Sequence, residues 1–271
     1  LKFLGSGKVK DIYDIGNDRL LFRFSDRISA FDVQFNDLIP HKGEILCKFS
    51  KFWFNKIDYQ NHLISVKSDN EIIVQKLDML PIECIVRGYF YGSLVSRYKN
   101  NLIKIDQNDL KLASKLNTPI FDPTTKSHID MPITKNDLIH NNMITSSMFD
   151  ELANVSIKIY KQMSQIVDSV DFILADLKLE FGLLDDKIIL ADSIGPDECR
   201  LWSKKSYQIG HIQNSFDKQI LRDWLILHKY KQKFDLSKQH TIDPIVPKLP
   251  KSLINKISNR YIHIYKKITQ E

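Results

Sequence analysis

The run Phe172-Ile173-Leu174-Ala175-Asp176-Leu177-Lys178-Leu179-Glu180-Phe181-Gly182 puts an acid, a base and an acid at every second position. From Ala175 on the alternation is strict, the period of a half-buried strand, so Asp176, Lys178 and Glu180 share one face and Leu177, Leu179 and Phe181 the other. Such a face suits the floor of a phosphate and metal site; the plain alternative is a solvated sheet surface with cross-strand ion pairs. A second strand, Lys187-Ile188-Ile189-Leu190-Ala191-Asp192, follows the turn-like Asp185-Asp186. A hairpin brings Asp192 back beside Glu180, and two carboxylates with a lysine then converge as Mg²⁺ and polyphosphate require. Opposed residues of an antiparallel pair share a face, so Glu180 and Asp192 share a metal only if opposed residue numbers sum to an even number. A loop of Asp185-Asp186-Lys187, with Leu184 opposite Ile188, meets that condition. A tight Asp185-Asp186 turn gives an odd sum, and neither residue is the Gly or Asn that such a turn prefers.

Two further segments carry anion chemistry. In Pro81-Ile82-Glu83-Cys84-Ile85-Val86-Arg87-Gly88-Tyr89-Phe90-Tyr91-Gly92-Ser93, Glu83, Ile85 and Arg87 share a strand face. Two glycines then turn the chain, and Ser93 begins a helix, where a hydroxyl and free N–H groups with Arg87 nearby seat an anion. The competing reading is a Glu83–Arg87 surface pair with Ser93 as a plain cap. Ser193-Ile194-Gly195-Pro196-Asp197-Glu198-Cys199-Arg200-Leu201-Trp202 is a turn that delivers the Arg200 guanidinium near the end of the hairpin. At the other end of the chain, Gly5-Ser6-Gly7-Lys8-Val9-Lys10-Asp11 precedes a strand rather than a helix. That excludes a Walker loop and leaves a glycine-rich turn able to lay backbone N–H groups over phosphates, with Lys8 and Lys10 to compensate charge.

These residues need elements to hold them. Lys10 to Ile15 and Arg19 to Phe24 read as a hairpin about Gly16-Asn17-Asp18, and residues 43–57 as a helix with Ile45, Leu46, Phe49, Phe52, Trp53 and Ile57 at helical spacing. Residues 71–77 and 82–88 read as strands separated by Pro81. A polar loop region, 117–134, leads to a helix over 147–170 striped by Phe149, Leu152, Val155, Ile159, Met163, Ile166 and Val170. Helices over 216–229 and 251–268 flank a proline-bearing strap, 235–250. The expected architecture is α+β with two lobes and a cleft between: a small antiparallel lobe, residues 1–78, with the glycine turn, and a larger α/β lobe, residues 79–271, with the hairpin and C-terminal helices.

Composition narrows the function classes. Net charge is +6, from 39 basic and 33 acidic residues, which raises nucleic-acid binding. The lysines are scattered, however, the clusters are pairs such as Lys204-Lys205 and Lys266-Lys267, and neither an RNP motif nor finger spacing occurs. Small anionic substrates account for the balance equally well. No apolar run approaches the roughly 20 residues of a membrane span, and Leu1 to Gly5 is no signal-peptide core. Cys47, Cys84 and Cys199 lie far apart without paired spacing, which points to a reducing, cytoplasmic setting rather than a disulfide or zinc framework. Neither nucleic acid nor membrane is expected as a partner, and the sequence carries no signal of oligomeric state.

Taken together the motifs resemble the SAICAR synthetase family of purine biosynthesis. Pro81 to Arg87 with Gly92-Ser93 resembles its first signature, and Leu174 to Gly182 its second. Gly7-Lys8-Val9-Lys10-Asp11-Ile12-Tyr13, Asp26-Arg27-Ile28-Ser29-Ala30-Phe31-Asp32, Pro196-Asp197 with Arg200-Leu201-Trp202, and Ser215-Phe216-Asp217-Lys218-Gln219 with Arg222-Asp223-Trp224 match in order along nearly the whole chain. The long C-terminal segment resembles the longer form of the family. The resemblance implies an ATP-dependent ligase: ATP, L-aspartate and carboxyaminoimidazole ribonucleotide (CAIR) give SAICAR, ADP and phosphate through an acyl phosphate of the CAIR carboxylate. It implies Asp176, Lys178, Arg87 and Arg200 as catalytic residues, and Arg87, Ser93 and Arg200 on the CAIR phosphate and carboxylate. It implies Glu180 and Asp192 for Mg²⁺, Gly5, Gly7, Lys8 and Lys10 for the nucleotide phosphates, and Gln75-Lys76-Leu77 for adenine. Asp217 and Lys218 join the substrate residues, although they could equally cap the next helix. The family's adjacent His-Asp is here His128 and Asp130 split by Ile129 after Thr125-Lys126, so the role at the substrates falls to one or the other of them. A different ATP-dependent phosphotransferase would share the glycine turn and the metal carboxylates, but has no reason to carry Arg87, Ser93 and Arg200 together.

Overall fold

Alternating apolar residues set the first strands, β1 (Lys2–Ser6), β2 (Lys10–Gly16) and β3 (Arg19–Phe24), which pair in series. Asn17 and Asp18, both at positive φ, close the β2–β3 turn. The structure is a computed structural model describing residues 1–126, 131–216 and 218–271. A two-stranded ribbon, β4 (Arg27–Ala30) and β5 (Val33–Leu38), leads into α1 (Lys42–Lys56). Then β6 (Leu63–Ser68) and β7 (Glu71–Gln75) complete an antiparallel sheet of order β1-β2-β3-β7-β6. Phe49, Trp53 and Phe54 of α1 are buried under it, as their helical spacing requires.

A second sheet gathers around one long strand. β8 (Asp78–Met79), β9 (Ile82–Tyr89), α2 (Ser93–Lys99), β10 (Lys115–Phe121), β11 (Thr124–Thr125), α3 (Lys135–His140) and α4 (Ser146–Asp168) precede β12 (Phe172–Leu184). β13 (Lys187–Ala191) and β14 (Cys199–Ser203) follow it. β9 and β14 flank the first half of β12, and β13 and β8 its second half. Leu152, Val155, Ile159 and Met163 of α4 are buried in the same apolar cluster as Leu177, Leu179 and Phe181 of β12 and Ile82, Cys84 and Val86 of β9. That cluster runs without a break from Val9 to Ile268, beneath both sheets. The polar face of β12 is thereby forced to the opposite side.

In the tail, α5 (Gln219–Leu227) ends early and Lys229, at φ 60°, starts a separate α6 (Tyr230–Gln239) before α7 (Lys251–Thr269). Helix therefore occupies the start of the expected 235–250 strap. Tyr230 and Phe234 stand four apart on one face, Phe234 is buried edge-to-face on Phe35, and Lys231 pairs with Asp235 one turn on. The prolines that forbid helix begin only at Pro244. All three cysteines are free and buried, and burial pushes the Cys47 thiol up to about 12. No helix of the described residues is long and apolar enough to cross a membrane.

Candidate active site

The face of β12 that turns away from the core carries two charge groups. The first is a row across three strands. Arg87 on β9 stands directly opposite Asp176 on β12, and Asp176 directly opposite Arg200 on β14. Opposed residues share a face, so pairing alone lines up Arg87, Asp176 and Arg200. The Arg200 Nη1 donates to Asp176 Oδ2 at 2.7 Å, and Arg87 Nη1 lies 3.8 Å from the same oxygen. Arg87 further donates from Nε to Asp122 Oδ2 (2.8 Å) and from Nη2 to Ser93 Oγ (3.1 Å). Arg97 on α2 holds the other oxygen of Asp122 at 2.6 Å. Three guanidiniums thus face two carboxylates and a hydroxyl, leaving one net positive charge where a phosphate or carboxylate can be gripped. The Arg87–Ser93 arm is the expected one. The alternative Glu83–Arg87 surface pair is not formed, because Arg87 is turned to Asp122 and Glu83 to Lys178.

Gly92 serves this group by conformation. It sits at φ 61°, ψ −139° just before Ser93, and a Cβ there would come within 2.9 Å of Arg200 Nη1. Only glycine lets the chain turn so close to that guanidinium.

The second group is built of lysines and carboxylates. Lys178 Nζ donates to Glu83 Oε1 at 2.8 Å and to Glu180 Oε1 at 3.4 Å. Glu180 Oε2 accepts from Lys126, and Glu83 Oε2 from Thr124 Oγ1. Burial opposes the Lys178 charge, but Glu180, Glu83 and Asp192 outweigh it and raise its pKa. Asp192 accepts from Lys10 Nζ at 2.6 Å. Its burial is likewise outweighed, by Lys10, Lys178 and Lys126, which hold the carboxyl down at about 2. Next to both groups, burial and then the charge of Asp197 push Glu198 up to about 7. His62, pushed down to about 4 by burial, is neutral and donates its Nε2–H to the Asp192 carbonyl.

The hairpin register is a correction. Leu184 opposes Lys187 and Glu180 opposes Ala191, an odd sum throughout. Asp185 and Asp186 make the tight turn themselves, at φ 49° and 60°, because aspartate tolerates the left-handed conformation without glycine. Pleat geometry alone would then send Asp192 to the apolar face. The ladder, however, ends at Ala191, and Asp192 takes φ 62°, which releases its side chain from the alternation. Its carboxylate meets Lys10 and lies within the electrostatic reach of Lys178 and Lys126, the partners of Glu180. Asp192 thus joins the Glu180 group by leaving the strand, not by register. No trio of metal-ligating side chains occurs among the described residues. Two carboxylates fit Mg²⁺, which keeps waters and takes substrate phosphates as its remaining ligands.

The glycine turn is formed between β1 and β2, with Gly7 N donating to Lys10 O. Lys8 is exposed and pairs with Asp32, whereas Lys10 is buried on Asp192. Gln75, Lys76 and Leu77 connect the two sheets, and Asp18 O accepts from Gln75 Nε2 and from Lys76 N. Lys218 pairs with Asp197 at 3.1 Å in a buried group with Lys42. His128, Asp130 and Asp217 lie outside the described residues. Sequence reasoning missed Asp122, Arg97 and Lys126. Arg97 stands one helical turn after Ser93 and Lys126 follows Thr125 in a segment already singled out, whereas nothing local marks Asp122.

An α+β architecture, with a glycine turn on one sheet and an arginine row beside lysine-bound carboxylates on the other, defines an enzyme of nucleotide-dependent acyl or phosphoryl chemistry. The sequence model of the SAICAR synthetase family matches residues 3–237. A phosphoribosylaminoimidazole-succinocarboxamide synthase of Nitrosopumilus maritimus is 54% identical over 270 residues, 99% of this chain and 98% of that one. The enzyme of the same name from Thermodesulfovibrio yellowstonii is 37% identical, over 99% of this chain and 96% of its own. Among solved structures, SAICAR synthase from Saccharomyces cerevisiae complexed with SAICAR superposes with a TM-score of 0.88 at 31% identity, covering 100% of this chain and 95% of that one. A SAICAR synthetase in complex with ADP gives 0.75 at 27% identity, over 98% and 97%. The chain belongs to the SAICAR synthetase family.

Proposed function

We propose that this site joins L-aspartate to the carboxylate of CAIR at the expense of ATP, giving SAICAR, ADP and phosphate in the cytoplasm. The observation that carries the reading is the Arg87–Asp176–Arg200 row beside Lys178 on one strand face. A kinase needs the lysine and the metal carboxylates; a ligase for a phosphorylated carboxylic acid needs the arginines as well.

A carboxylate is a poor acyl donor, so the reaction first makes it a good one. Arg87, Arg200 and Ser93 hold the phosphate and carboxylate of CAIR, with Asp176 fixing both guanidiniums. The backbone of Gly5 and Gly7, with Lys8 and Lys10, attends the triphosphate, and Gln75, Lys76 and Leu77 meet adenine at the junction of a 1–78 lobe with a 79–271 lobe. Mg²⁺ held by Glu180 and Asp192 would neutralise the triphosphate. A CAIR carboxylate oxygen attacks the γ-phosphorus, the bond to ADP breaks, and Lys178 stabilises the charge on the transferring group. The aspartate amine then attacks the acyl carbon, phosphate leaves with the bonding pair, and the amine proton passes to phosphate or solvent. His128 or Asp130, with Asp217 and Lys218, completes the substrate shell. Closure over the cleft keeps water from the acyl phosphate.

The test is coupled ADP release with each substrate omitted in turn. Turnover is expected only with ATP, Mg²⁺, CAIR and L-aspartate together. Equal turnover with D-aspartate, or none with the full set, refutes the reading.

A further inference from the structure

Helix α7 lies beyond residue 237, where the family match ends, yet it is tied into the site's supports at several points. Leu249 N, just before it, donates to Asp37 Oδ2 at 2.8 Å. Ser258 Oγ donates to Pro40 O, and Arg260 Nη1 to Ser215 O, each at 2.7 Å. Deepest of all, the Tyr261 hydroxyl donates to Asp197 Oδ1. The other oxygen of Asp197 is ion-paired with Lys42 of α1 at 2.9 Å and with Lys218 at 3.1 Å. One buried carboxylate therefore gathers α1, the start of α5 and α7.

Asp197 does not stand apart from the chemistry. The next residue, Glu198, accepts at its backbone carbonyl from Lys178 N at 2.7 Å, and two residues later Arg200 begins its pairing with Asp176. Anchoring the Asp197 carboxylate therefore anchors the start of a segment that is hydrogen-bonded to the strand of Lys178 and leads directly to Arg200. A carboxylate with two ammoniums on one oxygen is held against rotation by a donor on the other. That donor is Tyr261.

We propose that Tyr261 is a positioning residue for the anion grip: its hydroxyl fixes Asp197, and through segment 197–200 it sets the place of Arg200. The C-terminal helix is thereby part of the working site rather than a cover laid over it. This rests on the assignment of Arg200 to CAIR.

The experiment compares Tyr261→Phe, which removes only the hydroxyl, with Ser258→Ala, which removes a different hydrogen bond of α7, to Pro40 O, and leaves the Asp197 carboxylate with all its partners. KM for CAIR and for ATP, kcat and Tm are measured on each. Tyr261→Phe is expected to raise KM for CAIR about tenfold, the scale of one hydrogen bond to a charged group, with KM for ATP unchanged. Ser258→Ala is expected to lower Tm comparably and leave KM for CAIR alone. An unmoved KM for CAIR in Tyr261→Phe overturns the proposal. So does an equal rise in Ser258→Ala, or a Tyr261→Phe protein that does not fold, since either makes the helix a structural brace. Failure of the underlying reading would appear separately, as a wild-type protein indifferent to CAIR.

Discussion

Replacing Lys178 by Met keeps the aliphatic stem in the sheet and removes one positive charge. The structure sets two magnitudes. For stability, Lys178 leaves behind Glu83 and Glu180, both nearly buried. Stripping a fully buried pair of one partner costs about 3–5 kcal/mol. Here Glu83 keeps Thr124 and Glu180 keeps Lys126, and the Lys178 side chain is itself 31% exposed. The loss should therefore be nearer 1–2 kcal/mol, or about 2–8 °C in Tm at roughly 2–4 °C per kcal/mol for a chain of this size. For catalysis, the proposed mechanism puts this charge on the transferring phosphoryl group as it gains negative charge, and losing one such stabiliser costs about 10²–10³ in kcat. The assay is ADP release at saturating ATP, CAIR and L-aspartate, with circular dichroism and thermal melting on the same preparation. A folded Lys178→Met protein with near-normal kcat would refute the reasoning and return Lys178 to an ordinary sheet-surface ion pair.

Arg87→Lys and Arg200→Lys should each raise KM for CAIR by about tenfold or more while moving ATP far less, because a point charge cannot replace a planar fork; titration showing the ATP affinity falling instead would mean the two sites are assigned backwards. Glu198, raised to about 7 from an ordinary 4.5, is protonated in the folded protein where the unfolded chain is ionised. Its contribution to stability is complete below about pH 4.5 and is lost as pH rises through 7. Melting from pH 5 to 8 should show a shallower decline for Glu198→Gln than for wild type, and an equal slope would count against it. Asp186→Gly, at φ 60° in the hairpin turn, should stabilise by about 0.5–1 kcal/mol; a lower Tm would show that the Asp186 side chain contributes something the turn geometry does not explain.

Period-2 alternation made β12 legible residue by residue, down to which side chains face the core, because a strand has only two faces. Register was not legible. It depended on two aspartates accepting positive φ, a preference too weak to read against the stronger Gly and Asn signals, and then on a third, Asp192, doing the same at the strand's end. The arginine row was half legible. Arg87 and Arg200 stood out by their surroundings, but their alignment on Asp176 required knowing that β9 and β14 flank β12, a pairing across about 90 residues in one case. Asp122 was invisible because its partners, Arg87 and Arg97, meet it only through the second sheet and α2. In the tail, three prolines coloured the reading of a segment whose first turns precede them.

The three cysteines have a practical use that follows from their burial. Each thiol is enclosed in the core, and burial raises the pKa of Cys47 and Cys84, so little reactive thiolate is presented to solvent. The native chain is thus a quiet background for maleimide chemistry. A single cysteine introduced at exposed Leu4, on β1 beside the glycine turn, would stand alone as a labelling handle. A fluorophore there would test whether the glycine turn responds to nucleotide, in real time and without any other thiol having to be removed.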